Sequence, residues 1–206
     1  MAPPLSPPAL EGTIAVEVSG HVAGPYAGSL LGDLGCEVIK VELPGEGDTH
    51  RGRNPKYEGY GPSFRALNRN KKSVTLNLRK EDGRQILLRI LETADILLEN
   101  FRPDTRSRLG LDFAELSRAN PKLIHCSISG YGQSGPYRDK PGFDTIGQAL
   151  SGMLSLATDL EDPQVVGVSV ADHTSGIFAV YGILAALLAR QKTGRGQFVD
   201  TSLLQV

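Results

Sequence analysis

One carboxylate, Asp172, stands at the head of a long apolar stretch that runs to Arg190. Asp is favoured where a helix begins, because its oxygens accept the free N–H groups of the first turn. The positive end of the helix dipole then favours the ionised form. The sequence therefore predicts a helix capped by Asp172, with an ionised carboxylate at its mouth. Ser175, Gly176, Ala179, Gly182, Ala185 and Ala186 recur with a helical period and offer a smooth face for close packing. Arg190 and Lys192 fall in the last turn, and Gly194 is placed to stop the helix in a left-handed conformation. The plain alternative is a buried helix with an ordinary cap.

Other chemistry-bearing residues are more scattered. Gly20, Gly24 and Gly28 open a helix after a strand, and Glu42 ends the next strand. Their four-and-four spacing is not the G-x-G-x-x-G that brings backbone up to a pyrophosphate, so a dinucleotide site is weakly supported. Arg69, Lys71 and Lys72 precede one strand, Arg79 and Lys80 follow it, and Arg102, Arg106 and Arg108 follow another. A solvated surface explains such runs; a phosphate-bearing ligand held at strand ends is the sharper reading. His21, His50, His125 and His173 show no metal-ligand spacing.

These groups must be positioned by a fold of limited choices. The 206 residues can bury a substantial core, and a net charge of −1 gives no global field to recruit nucleic acid or a membrane surface. The apolar run after Asp172 is interrupted by Tyr181 and Gly182 and ended by Arg190, which argues against a spanning segment. Cys36 and Cys126 lie in separate apolar runs and read as reduced core thiols of a cytoplasmic protein, although a disulfide stays open. Residues 1–9, rich in proline, read as a disordered leader before a domain over 10–206.

Predicted strands at Thr13–Ser19, Glu37–Glu42, Ser73–Leu78, Asp95–Leu98 and Lys122–Ile128 alternate with helices at Tyr26–Leu34, Glu81–Thr93, Thr105–Leu109, Phe113–Arg118 and Asp144–Ala157. Residues 43–65 have no period and read as a long loop. The alternation predicts a Rossmann-like α/β fold, an open, mostly parallel sheet with helices on both faces. Ligands of such sheets bind past the carboxyl ends of strands. The loops at Gly20–Gly24, Glu99–Pro103 and Gly130–Pro136 are therefore expected to share one crevice. Gly196–Val206 enters a fresh apolar segment, which suggests a large domain whose C-terminal part is missing.

Several ordered blocks resemble the class III CoA-transferases, the carnitine-dehydratase and bile-acid-inducible family. They are Gly24-Pro25 with Leu31–Glu42, Pro44–Asp48, Asn68–Asn77, Leu98–Pro103, Ser127–Pro136, Pro141–Asp144, Asp172 and Thr193–Gln197. The resemblance implies that Asp172 is the nucleophilic aspartate. It also implies that Val22, Ala23, Leu76, Arg79, Asn100, Phe101 and Arg108 lie along CoA, with Arg79 and Arg108 at its phosphates. Leu43 departs from an arginine that some members use for the nucleotide. No tightly bound cofactor or metal is implied; a coenzyme A thioester is the substrate, a carboxylic acid the acceptor, and an interlocked homodimer the working form.

The implied chemistry is covalent: the carboxylate attacks an acyl-CoA thioester, and exchange between two acids is divided into easier steps. Small dicarboxylates are the expected acids. Two alternatives stand beside this reading: an α-methylacyl-CoA racemase or isomerase, and a non-catalytic CoA-binding protein. The racemases pair their aspartate with a histidine in the block that here reads Pro141-Gly-Phe-Asp144, so Phe143 occupies that place.

Overall fold

The computed structural model describes residues 6–206. The first part of the expected leader, residues 1–5, lies outside them. Six strands form one sheet: β1 Ile14–Val18, β2 Glu37–Glu42, β3 Lys71–Thr75, β4 Ile96–Glu99, β5 Ile124–Ser129 and β6 Phe198–Ser202. Their order is β3-β2-β1-β4-β5-β6, and every neighbouring pair is parallel. The sheet is thus wholly parallel rather than mostly so.

The helices are α1 Ala23–Asp33, α2 Pro62–Leu67, α3 Glu81–Leu91, α4 Pro103–Arg108, α5 Phe113–Ala119, α6 Asp144–Leu150, α7 Met153–Ala157 and α8 Val170–Thr193. Two apolar clusters occupy the two faces of the sheet. Ala15, Ile96, Leu98, Ile124 and Cys126 pack under α1 and α8. Val16, Val18, Leu97 and Leu123 pack with Leu87 and Leu91 of α3 and Leu116 of α5. Side chains along β1 and β4 alternate between two covered faces, which explains why both strands are apolar apart from the buried Glu17 and Glu99.

Several boundaries differ from the sequence reading. The 43–65 stretch contains a short 3-10 helix, Thr49–Gly52, and α2. The predicted helix Asp144–Ala157 breaks into α6 and α7 at Gly152, whose φ is 85°. β3 begins at Lys71, so Lys71 and Lys72 lie in the strand. Both cysteines are free and buried, and burial pushes the Cys36 thiol up to about 12.

By length and apolar composition α8 could cross a membrane. Its inner face is instead core: Ala179 and Ile183 are fully buried. A Cβ on Gly176 would come within 3.0 Å of the Ala23 carbonyl oxygen and 2.9 Å of the Tyr26 ring. Only glycine lets α1 and α8 approach this closely. At the other end of α8, Arg190 donates to the Lys122 carbonyl at 3.0 Å and to Asp95 Oδ1 at 2.9 Å, tying the helix to the strand starts.

Beneath α1 lies a buried charge network. Lys40 Nζ pairs with Glu17 Oε1 at 2.7 Å and Asp48 Oδ2 at 3.0 Å, and Lys71 Nζ pairs with Glu17 Oε2 at 2.7 Å. Burial pulls the Lys40 amine down, but Glu17 and Asp48 outweigh it and leave its pKa raised. Lys71 shares Glu17 with Lys40, and burial lowers it to about 8. Next to it Glu42 binds Arg51 through both oxygens, at 2.8 and 2.6 Å, and accepts the Asp48 N–H at 2.9 Å. Desolvation raises the Glu42 carboxyl, but Arg51, Ser73 and that N–H hold it at about 2. Lys40 and Glu42 thereby fasten the loop after β2 to the sheet.

Candidate active site

The order β3-β2-β1-β4-β5-β6 reverses direction between β1 and β4, the switch point at which open α/β sheets hold ligands. Two cavities meet there. The larger, about 670 Å³, is walled by the loop after β2 and lined by Leu76, Arg79, Arg84, Phe101 and Arg108. The smaller, about 290 Å³, holds Asp172 among Ala23, Asn100, Arg102, Gly130 and Phe143. His21, Phe101 and Thr105 line both. All three loops expected to share a crevice contribute to the smaller one.

Of the residues that the resemblance assigns to CoA, Leu76, Arg79 and Arg108 line the larger cavity, Ala23 and Asn100 the smaller, and Phe101 both. Val22 lines neither; it caps α1. Asn100 brackets the loop after β1, accepting the Gly20 N–H at 3.1 Å and donating to the Gly20 carbonyl at 2.8 Å. Leu43 lines the larger cavity. Of the other predicted basic residues, Arg102 lines the smaller cavity, and Arg69, Lys72 and Arg106 are engaged elsewhere, with Asp33, Glu37 and Asp112.

Asp172 is not the cap of α8. The helix begins at Val170 with Ser169 as its cap, so Asp172 is the third helical residue. Its backbone N–H is satisfied from outside the helix by Asp144 Oδ1, at 3.0 Å. Asp144 Oδ2 in turn accepts from Gln148 Nε2 at 2.5 Å. The helix end does not hold the Asp172 carboxyl below the usual carboxylate range. Burial, and then the negative charge of Asp144, push the Asp172 carboxyl up to about 6, against a smaller opposing effect of His173. A carboxylate at such a pKa is a stronger base and nucleophile than an ordinary one, yet is still mostly ionised at neutral pH.

Three features of this site escaped sequence reasoning. Arg84 joins Arg79 and Arg108 around the larger cavity, although it sits mid-helix as an ordinary partner of Glu81. Asp144 reaches Asp172 from 28 residues away. His21 stands where the cavities join, its ring 6.0 Å from those of Phe143 and His50. Its position after a strand and a glycine was the available signal. The remaining histidines are packed: His125 against Glu99 at 3.3 Å, His173 against Tyr26, and His50 in the interior.

A doubly wound parallel sheet with a carboxylate-bearing cleft at its switch point defines a Rossmann-like α/β ligand-binding domain. The chain belongs to CoA-transferase family III, whose model matches residues 10–206. It is 43% identical over 203 residues to the succinyl-CoA–D-citramalate CoA-transferase of Chloroflexus aurantiacus, covering 97% of this chain and 50% of that one. It is 41% identical over 207 residues to the succinate–glutarate CoA-transferase of Agrobacterium fabrum, covering 97% and 52%. The crystal structure of a CAIB/BAIF family protein from Brucella suis superposes with a TM-score of 0.89 at 40% identity, covering 95% of this chain and 53% of that one. The chain thus spans about half the length of the curated relatives it matches.

Proposed function

We propose that the complete protein carrying this chain is a CoA-transferase that moves CoA from an acyl-CoA donor to a carboxylic acid through a covalent intermediate on Asp172. One observation carries the reading: the raised carboxyl of Asp172 lies in a cleft that opens directly into a cavity rimmed by Arg79, Arg84 and Arg108. Three guanidinium groups suit the phosphates of CoA. A pantetheine arm running from them past His21 would bring a thioester to Asp172. The carboxylate adds to the thioester carbonyl, the C–S bond breaks, and CoA leaves as thiolate. The thiolate then attacks the aspartyl carbonyl of the anhydride, which releases the donor acid as carboxylate and leaves CoA on Asp172 as a thioester. The second acid displaces the thiolate to form a new anhydride, and the thiolate attacks the acyl carbonyl of that acid, releasing acyl-CoA and the free Asp172 carboxylate.

Small dicarboxylates are the proposed acids. Relatives at about 40% identity carry such substrates in their names, and Arg102, half-exposed in the Asp172 cleft and paired with Asp104 only at 3.7 Å, is a cation within that cleft for a second carboxylate. The working form is proposed to be a cytoplasmic homodimer. Ile177, Phe178, Tyr181 and Leu188 leave a large apolar surface along α8, which supports a partner there.

The test is chemical trapping. With donor acyl-CoA present, hydroxylamine or borohydride is expected to mark the peptide containing Asp172 with a mass change. Asp172→Asn should abolish the mark and slow exchange by on the order of 10³ or more. An unmodified peptide together with an active Asp172→Asn enzyme removes the reading. The racemase alternative keeps one specific support, since His21 lies in the same cleft as Asp172 and could serve as a second acid or base. Rapid solvent-deuterium uptake at the α-carbon of a 2-methylacyl-CoA, without a trapped adduct, would favour it.

A further inference from the structure

Three residues are common to both cavities: His21, Phe101 and Thr105. Any thioester that has CoA phosphates at the arginines and its carbonyl at Asp172 passes them. Phe101 has no side-chain donor. The Thr105 hydroxyl accepts from Arg108 at 3.0 Å and faces Asp104 at 3.4 Å, so it is engaged. The imidazole of His21 is exposed, and among the described residues it makes no hydrogen bond. It is the free donor at the junction.

The backbone there is also unusual. His21 has a φ of 65°, in the left-handed region that residues with a Cβ enter only at a cost. Asn100 holds the strain in place by bonding both polar groups of Gly20, the preceding residue. The ring is steadied edge-on by Phe143 and His50. A strained conformation fixed by two neighbouring elements, presenting an unpartnered donor where two cavities join, is the arrangement of a working side chain.

Resting on the transferase reading above, we propose that His21 is a catalytic residue whose imidazole N–H donates a hydrogen bond to the CoA sulfur as the Asp172 anhydride forms. The C–O bond to Asp172 forms, the C–S bond breaks, and its electron pair stays on sulfur. No proton is transferred; the donated hydrogen bond stabilises the thiolate, and the same bond is released when the thiolate attacks in the reverse step. Neutral imidazole and imidazolium both carry an N–H, so the role does not depend on the charge of His21.

The experiment compares His21→Gly and His21→Asn in the complete protein, since both residues accept a left-handed backbone. Rapid-quench acylation of Asp172 by donor acyl-CoA should slow by about 10- to 100-fold in His21→Gly, the loss typical of one preorganised donor. The dissociation constant for free CoA should stay within about threefold. Asn, which keeps a donor, should lose less, and imidazole added to the glycine variant should restore part of the rate. Acylation within about threefold of the parent, or a loss wholly in CoA affinity, overturns the proposal. Should the variants not fold, the parent decides: CoA must shift the ring-nitrogen resonances of His21, and unmoved resonances overturn it. An active Asp172→Asn enzyme would instead defeat the transferase reading itself, independently of His21.

Discussion

The carboxylate of Asp144 accepts the backbone N–H of Asp172 at 3.0 Å, so a second negative charge is built against the candidate nucleophile. The contact both positions α8 and raises the Asp172 carboxyl, after burial the largest influence on it. Exchange activity should therefore fall below a pH of about 6, as Asp172 takes up a proton. Asp144→Asn keeps an oxygen acceptor for the N–H and removes the charge. The acid limb of kcat against pH should move down by up to about one unit. An unmoved limb would show that Asp144 acts through packing alone.

The same shift makes a stability prediction. The folded Asp172 titrates near 6 and the unfolded one near 3.8, so the folded state holds the proton more tightly. Stability then decreases as pH rises from about 4 to about 6 and stays lower above that window. Asp172→Asn cannot ionise, and should be more stable than the parent by roughly 1–3 kcal/mol at pH 7 with little difference below pH 4. Urea unfolding at both pH values checks this; a variant less stable at pH 7 contradicts it.

The parallel sheet was legible from the alternation of strands with helices, and β2 was placed at Glu37–Glu42 after the stop at Gly35, but the strand order that creates the switch point was not. Asp172 stood out at the head of an apolar stretch, but its catalytic role came from the family resemblance and not from its spacing. Its electrostatic state was not legible, because Asp144 approaches through tertiary structure and no local spacing marks the pair. The Gly20, Gly24, Gly28 spacing suggested a weak nucleotide loop. At Gly28 the cause is instead Glu17, whose side chain occupies the space a Cβ would take. Lys71 was read among surface cations and is buried on Glu17, an assignment that needs the β1–β2–β3 register.

Around the larger cavity the arginines are not equivalent. Arg79 makes no side-chain ion pair among the described residues, whereas Arg84 is held by Glu81 and Arg108 by Asp104 at 3.3 Å. Arg79→Ala should weaken CoA binding by about 1.5–3 kcal/mol, and Arg84→Ala and Arg108→Ala by less, because their charges are already partly satisfied. Calorimetric titration of CoA checks the order. Unchanged curves for all three would place the phosphates elsewhere.

The apolar surface of α8 predicts association. Tyr181 is 70% exposed and Leu188 63%, on a helix whose opposite face is core. The 206-residue chain expressed alone should self-associate, and Tyr181→Arg with Leu188→Glu should reduce this. Sedimentation of the unsubstituted chain as a clean monomer would show that this face needs no cover.

Gly28 links the core to the cavity wall. A Cβ there would lie 2.0 Å from Glu17 Oε2 and 3.2 Å from Lys71 Cε, so Gly28→Ala must displace the carboxylate that serves both Lys40 and Lys71. Overpacking of a tight site costs about 1–3 kcal/mol, and loosening one partner of a buried ion pair costs more. The expected loss of stability is about 2–4 kcal/mol. Lys40 also holds Asp48, which lines the larger cavity, so the disturbance should reach the ligand. CoA should bind several-fold more weakly to the fraction that stays folded, while Gly152→Ala, remote from the network, should leave CoA binding unchanged. Urea unfolding and CoA titration of the two variants side by side measure both effects. If Gly28→Ala were destabilised but bound CoA normally, the Lys40–Asp48 pair would be a feature of the core alone, without influence on the cavity wall.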